Sequence, residues 1–306
     1  MANSSSTRRK VTVWSGFALL CLMTSLEWVI PPAMTEVPTL QRSGLIDAVI
    51  GFAACAVAVV HKRDRFRTGA LGRAALAGIL FLGVPAILLD LVNGLTSSTT
   101  ISLLFTITPV VVVITVMSSS PELSEGNELQ KLLLPALAGV GGVLSIFPFS
   151  FPDSGGGWTG FAVVLIAVSL SGAAGVWLHR LLQRTRMAAA IAIIGISNAF
   201  LLLVWCSLRG SAVWRISQFF QGESIAAGFV QAVTFLLTLW LVREMNPVRL
   251  SGRYLVIPLL TIGEGLVTMR PPVTPRLIVG IVLLATGAWW ILTSQPWREE
   301  RPLSLR

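Results

Sequence analysis

Charge is scarce in this chain. Only 12% of its 306 residues are Asp, Glu, Lys or Arg, against about 25% in an ordinary soluble domain. With 54% hydrophobic residues, nearly every segment is needed for apolar runs and short connectors, and no room remains for a separate soluble domain. Histidine is scarcer still. His61 and His179 stand at the ends of apolar runs among basic residues, where a solvated interfacial role is expected, and they leave little scope for metal catalysis. The three cysteines, Cys21, Cys55 and Cys206, lie inside apolar runs with no CxxC or metal-ligand spacing, and read as small core residues. No HExxH or GxSxG arrangement occurs. Ser154-Gly155-Gly156-Gly157 reads as an outer loop that lacks the Lys-Ser/Thr of a phosphate loop, so ATP hydrolysis within this chain is excluded as a driving force. The chain is therefore expected not to be an enzyme and to carry no cofactor.

What the sequence does have is ten apolar stretches of about the length that spans hydrocarbon as a helix, every backbone hydrogen bond being satisfied internally. They fall near 12–31, 44–60, 71–92, 97–117, 132–149, 158–178, 188–208, 224–242, 251–269 and 276–294. The first follows Arg8, Arg9 and Lys10, but it is long enough to span and no small-residue cleavage site follows. It reads as a retained helix and not as a signal peptide.

The basic residues crowd into every second gap. Of 23 Lys and Arg, 18 fall on one side and only Arg42, Arg209, Arg215, Arg270 and Arg276 on the other. The richer side is expected to be the cytoplasm, with both termini there. The connector 118–131 runs against this pattern, with Glu122, Glu125 and Glu128 beside Lys131, although acidic residues contribute little to orientation. The net charge of +9 is spread along the chain, which points to topology signals and anionic lipid and not to nucleic acid. Most of the ten tryptophans sit toward span ends, as an aromatic belt.

A weak internal repeat accompanies the spans. Thr106-Ile107-Thr108-Pro109 in span four has a counterpart in Val256-Ile257-Pro258-Leu259 of span nine, and each is followed by a glycine-bearing helix, at Gly139 to Gly142 and at Gly280 to Gly287. Five spans followed by five more put the second copy in inverted orientation, an arrangement found in transporters. The expected fold is an all-α integral membrane protein of ten transmembrane helices, organised as two inverted five-helix repeats, 1–149 and 150–306.

These residues resemble the EamA-like branch of the drug/metabolite transporter superfamily. The similar features are Ile101 to Val116 around Pro109, then Glu122, then Gly139 to Leu144, and in the second half Pro258, Pro271-Pro272, Gly280 and Gly287. The second half departs where the family usually has a Glu, carrying Arg270 instead, with Glu264 inside the span. The resemblance implies export of a small organic metabolite, such as an amino acid or drug-like compound, across the plasma membrane. The partners expected are that solute and the bilayer, and a homodimer is compatible with both. A non-transporting membrane scaffold and an integral membrane enzyme are the alternatives.

An ionisable group at membrane depth costs roughly 2.5–3.5 kcal/mol on insertion scales, so it usually faces protein or a wet cavity. Glu264, between Gly263 and Gly265, is the leading candidate, because glycines permit close approach of a backbone or a substrate. Glu27, beside Trp28, is second, and the indole offers a wall for a cation or ring. Trp205 is another candidate wall, while Asn198 and Gln231 are buried amides that either touch solute or join helices. The solute is expected midway between the halves, near Glu27, Trp28, Asn198 and Glu264, where a carboxylate would couple proton entry to export. Asp47 and Asp90 read as interfacial caps. Pro85, Pro109 and Pro258 each remove a helical hydrogen bond, and read as hinges or static kinks. Ser171 to Gly175 is a small-xxx-small pattern that, with Gly139 and Gly142, signals close helix packing.

Overall fold

In a computed structural model, residues 2–29, 38–60, 68–119, 128–147, 154–212, 222–269 and 274–294 are described. The apolar runs form the helices α1 (Ala2–Val29), α2 (Thr39–Val60), α3 (Thr68–Gly78), α4 (Val84–Leu91), α5 (Ser98–Phe105), α6 (Thr108–Ser118) and α7 (Glu128–Ile146). They continue as α8 (Gly155–Leu182), α9 (Met187–Leu208), α10 (Gly222–Glu244), α11 (Pro247–Ser251), α12 (Arg253–Met269) and α13 (Pro275–Thr293). A five-residue π turn, Ile79–Gly83, joins α3 to α4. No strand occurs among the described residues; Asn93 and Thr96 form an isolated bridge. The fold is all-α.

Among the described residues, eight segments are long and apolar enough to cross a bilayer: 39–60, 69–91, 98–118, 155–182, 187–208, 225–244, 247–268 and 275–293. The described apolar part of α7, Lys131–Ile146, is shorter. This is a multi-pass membrane protein by the length and composition of its helices.

Two boundaries differ from the sequence expectation in ways that matter. Helix α2 starts at Thr39 and not near residue 44, because Gln41, Arg42 and Ser43 lower the hydropathy without breaking the helix. Helix α8 starts at Gly155, so the stretch expected to be an outer loop is a first helical turn, with Ser154 Oγ accepting from Gly157 N–H at 3.2 Å.

Two of the three hinge prolines are accommodated by an irregular turn beside them. Pro109 stands in the first turn of α6, after a tightened turn in which Thr106 and Ile107 donate to Leu103 and Leu104. The Phe105 carbonyl that Pro109 cannot serve accepts from Thr108 Oγ1 at 2.6 Å. Pro85 follows the wider π turn, where Val84 N–H reaches back to Ile79 O. Pro258 lies inside α12, and Pro135, which the sequence reading passed over, lies inside α7.

The chain divides into two compact units, and each draws on two stretches of sequence. The first comprises 1–91 and 177–245, and the second 92–176 and 246–306. Within the first, α2 pairs with α9, and within the second α7 pairs with α13. Both pairs cross through glycines. A Cβ added at Gly51 would lie 2.8 Å from Ile196 N, and one at Gly195 would lie 2.8 Å from Asp47 O. Gly44 lies against Leu202 and Leu203, so residue numbers rise along α2 as they fall along α9, and the pair is antiparallel.

The α7–α13 crossing is reciprocal. A Cβ at Gly287 would meet Gly139 N and Pro135 O, both at 2.6 Å; one at Gly142 would meet Leu284 N at 2.6 Å and Gly280 O at 2.8 Å. One and the same displacement along the chain takes Pro135 to Gly280, Gly139 to Leu284 and Gly142 to Gly287. Helices approach this closely only where side chains are absent, and the gain is dispersion contact between backbones. Gly172 of the small-residue pattern on α8 packs on Val111.

Helix ends in the first unit are tied by side chains of neighbouring helices. Arg9 Nη2 donates to Glu244 Oε2 at 2.6 Å, and this carboxylate raises the pKa of the Arg9 guanidinium further. His179 Nδ1 meets the Val242 carbonyl at 2.5 Å, and Gln183 Nε2 donates to Arg243 O. The solvated role expected for His179 is therefore corrected: it satisfies a carbonyl that the last turn of α10 leaves unpaired. His61 lies outside the described residues. Of the cysteines, Cys21 and Cys206 are buried and Cys55 is half-buried.

Candidate functional site

The buried stripe of α2 is Gln41, Gly44, Asp47, Gly51 and Ala58, a helical spacing that points one face at its neighbours. Gly44 and Gly51 bracket Asp47, and through them α9 comes close enough for a short acid to reach across. Asn198 Nδ2 donates to Asp47 Oδ2 at 2.5 Å. Both residues are buried, at 4% and 3% exposure. The expectation of Asp47 as an interfacial cap is overturned, because α2 begins earlier than its hydropathy implies and Asp47 lies about two turns inside it.

Asn198 has a second polar atom. Its Oδ1 has no hydrogen-bond partner among the described residues and lies against Gly83, the last residue of the π turn, where an added Cβ would overlap it. One turn before Asp47 on α2, Ser43 Oγ accepts from Gln231 Nε2 of α10. Gln231 Oε1 and Thr234 Oγ1 are buried without a partner among the described residues. Two interhelical hydrogen bonds, Ser43 with Gln231 and Asp47 with Asn198, therefore stand one turn apart on α2, and none of the four residues is a base. Gln231 and Asn198 act here as the interhelical amides that were one of their two expected roles.

Trp205 has a different neighbour from the one expected. Its indole Nε1 donates to Asp90 Oδ2 at 3.0 Å, and Arg209 Nη1 binds the same oxygen at 2.7 Å. The Arg209 guanidinium also lies 5.6 Å from the indole centroid. Asp90 is the organiser of this cluster where α4 and α9 end, and Trp205 is held by it. Trp205→Phe removes one hydrogen bond to a charged acceptor and is expected to cost about 1.5–3 kcal/mol. Asp90→Asn weakens a half-exposed ion pair worth about 1 kcal/mol or less. Thermal melts in detergent should rank the two in that order.

Glu264 is half-buried in α12, and its carbonyl accepts from Thr268 Oγ1 at 2.8 Å. No other backbone comes close at its glycines: a Cβ at Gly263 or Gly265 would meet nothing within 4 Å among the described residues. The close approaches use Gly51, Gly195, Gly142 and Gly287 instead, where two helices cross. The side chains of Glu27 and Trp28, at the end of α1, lie outside the described residues, as does Arg270. No cluster of three His, Cys, Asp or Glu suited to a metal occurs among the described residues.

The Asp47–Asn198 pair is what the sequence reading missed. The available signal was spacing: Gly44, Asp47 and Gly51 share a helix face, and glycines flanking an acid at helical intervals mark a crossing at the acid.

No family model matches the chain, and no curated protein matches it. Among solved structures, the chain is similar to one described only as "Crystal structure of protein", at 15% identity and a TM-score of 0.68. The match covers 92% of this chain and 98% of that one. At this identity the likeness concerns the fold alone.

Proposed function

We propose that the protein is a secondary transporter of the EamA-like drug/metabolite type. In this reading it exports a small organic metabolite, such as an amino acid or drug-like compound, across the plasma membrane. Ten spans form two inverted five-helix repeats, 1–149 and 150–306, with both termini in the cytoplasm. Alternating access moves the solute, and a proton gradient drives it.

The observation that carries this reading is the reciprocal crossing of α7 and α13. In a five-plus-five chain these are the fifth spans of the two copies. Two copies related by a two-fold axis in the membrane plane would meet on that axis as an antiparallel pair with exchanged contacts, as Gly287 and Gly142 do. Helices α2 and α9 are the second spans of the two copies and also cross antiparallel through glycines. Side-sharing contacts support the alternation of spans. Arg9 with Glu244, His179 with Val242, and Arg249 with Ser294 join ends assigned to the cytoplasm. Asp90 with Arg209 and Ser145 with Arg276 join ends assigned to the outside.

Untargeted metabolomics of spent medium, from cells overexpressing the protein and from vector controls, tests the reading. A selective rise of one metabolite class is the expected result. An unchanged medium, with the protein present in the membrane, would count against export. Glu264 is retained as the carboxylate offered to the solute; Glu264→Gln is expected to lower the excess about tenfold or more at unchanged protein level. Undiminished export would remove Glu264 from the site.

A further inference from the structure

We propose that Asp47 is a reversible proton-binding site and Asn198 its positioning residue. The proposal deepens the transport reading, on which it rests for the proton's role, by naming the group that takes up the driving ion.

The geometry favours a proton over any larger cation. The Asp47 carboxyl is buried, its own helix backbone is in contact with Gly195, and the free atom of its partner amide lies against Gly83. A metal ion or an ammonium group would have to part the α2–α9 crossing. A proton adds charge without volume.

Among the described residues, no base faces the acid from any element packed around it. On α9 the nearest titratable groups are Cys206 and Arg209, about two and three turns beyond Asn198, and Arg209 is bound to Asp90. On α10 the described ones are Arg243 and Glu244, about three turns beyond Gln231, with Glu244 bound to Arg9; the side chain of Glu223 lies outside the described residues. On α3 Arg73 donates to its own helix at Gly69 O, and on α4 there is Asp90 itself. On α2, Arg42 and Cys55 stand about one and two turns from Asp47 on either side. Asp47 therefore has a single neutral hydrogen bond when ionised, and a proton is what can neutralise it in place.

Protonation also has somewhere to act. Ionised, the carboxylate accepts from Asn198 Nδ2, and Oδ1 is left without a partner. Protonated, the carboxyl O–H donates to Oδ1 once the amide turns over, and the NH2 group then faces the π turn at Gly83. The proton comes from water on one side of the membrane and returns to water on the other, the carboxyl cycling between its acid and its carboxylate. Val84 and Pro85 follow the π turn directly, so the amide's orientation is read by a segment with a weakened hydrogen-bond ladder.

The test is infrared difference spectroscopy of the full-length protein in lipid nanodiscs, stepped from alkaline to acid, with Asp47→Asn, Asp47→Glu and Asn198→Ala alongside. Expected are a carboxylic C=O band that appears on acidification, its loss in Asp47→Asn, and its return in Asp47→Glu. Asn198→Ala should displace the midpoint by about one pH unit, a tenfold change in proton affinity. An unchanged spectrum in Asp47→Asn overturns the proposal. Should that variant fail to fold, an unmoved midpoint in Asn198→Ala overturns it as well. Export that keeps its pH dependence in a folded Asp47→Asn variant overturns the coupling role and leaves transport standing. A wild-type protein that titrates at Asp47 but moves no solute supports the proton site and removes the transport reading.

Discussion

Gly287→Val is expected to leave almost no folded protein in the membrane. The first atom of the new side chain would stand 2.6 Å from both Gly139 N and Pro135 O. These are backbone atoms of a neighbouring helix and cannot turn aside as a side-chain tip can. Overpacking a core usually costs about 1–3 kcal/mol, and more where the neighbours are rigid. Here relief requires α7 and α13 to separate, which would also part Gly142 from Leu284 and Gly280. Gly141→Val, one residue from this crossing, is the control, because its Cβ would meet nothing within 4 Å among the described residues. Fluorescence-detected gel filtration of the two variants should show loss of the monodisperse peak for Gly287→Val and a near-native peak for Gly141→Val. Equal behaviour of the two would mean that this crossing does not hold the second unit together.

Asn198→Ala is expected to destabilise the first unit by about 1–3 kcal/mol, because it removes the one hydrogen bond of a buried acid and leaves that acid unsatisfied. The instructive result is the double variant. With Asp47→Ala alone, Asn198 loses its acceptor, and both of its polar atoms are then unpaired. With both residues replaced, no polar atom of the pair remains to be satisfied. The double variant should therefore be less destabilised than the sum of the singles, by about 0.5–3 kcal/mol. Thermal unfolding in detergent, followed by tryptophan fluorescence, reads all four proteins. Additive losses would show that the two side chains act independently, contrary to the 2.5 Å contact between them.

Hydrophobic length is a local property, and for eight of the ten expected spans it was legible. Eight segments recognised as apolar runs are helices long enough to cross a bilayer. Glycine spacing was legible too: Gly139 and Gly142 were expected to permit close packing, and they do so against α13. The prolines were visible as interruptions, but what relieves each one was not. Thr108 serves the carbonyl that Pro109 leaves free, while Pro85 follows a π turn; the sequence near each proline does not distinguish these solutions.

The polar residues were legible as costly and illegible as partners. Glu264 drew attention through its flanking glycines, yet those glycines meet no neighbour among the described residues. Asp47, discounted because it lay near a span end, is buried against Asn198, a residue far away in the sequence. Trp205, considered as a cavity wall, is engaged by Asp90.

From the sequence alone came the all-helical membrane class, most of the approximate spans and the small residues of α7 that touch a neighbour, because each depends on hydrophobicity and side-chain size over one or two turns. Which helices touch was decided by tertiary structure. It set α2 against α9 and α7 against α13, and so determined which acid meets which amide. A helix crossing joins residues far apart in the chain, and whether a buried carboxyl finds a base, an amide or solvent is decided there.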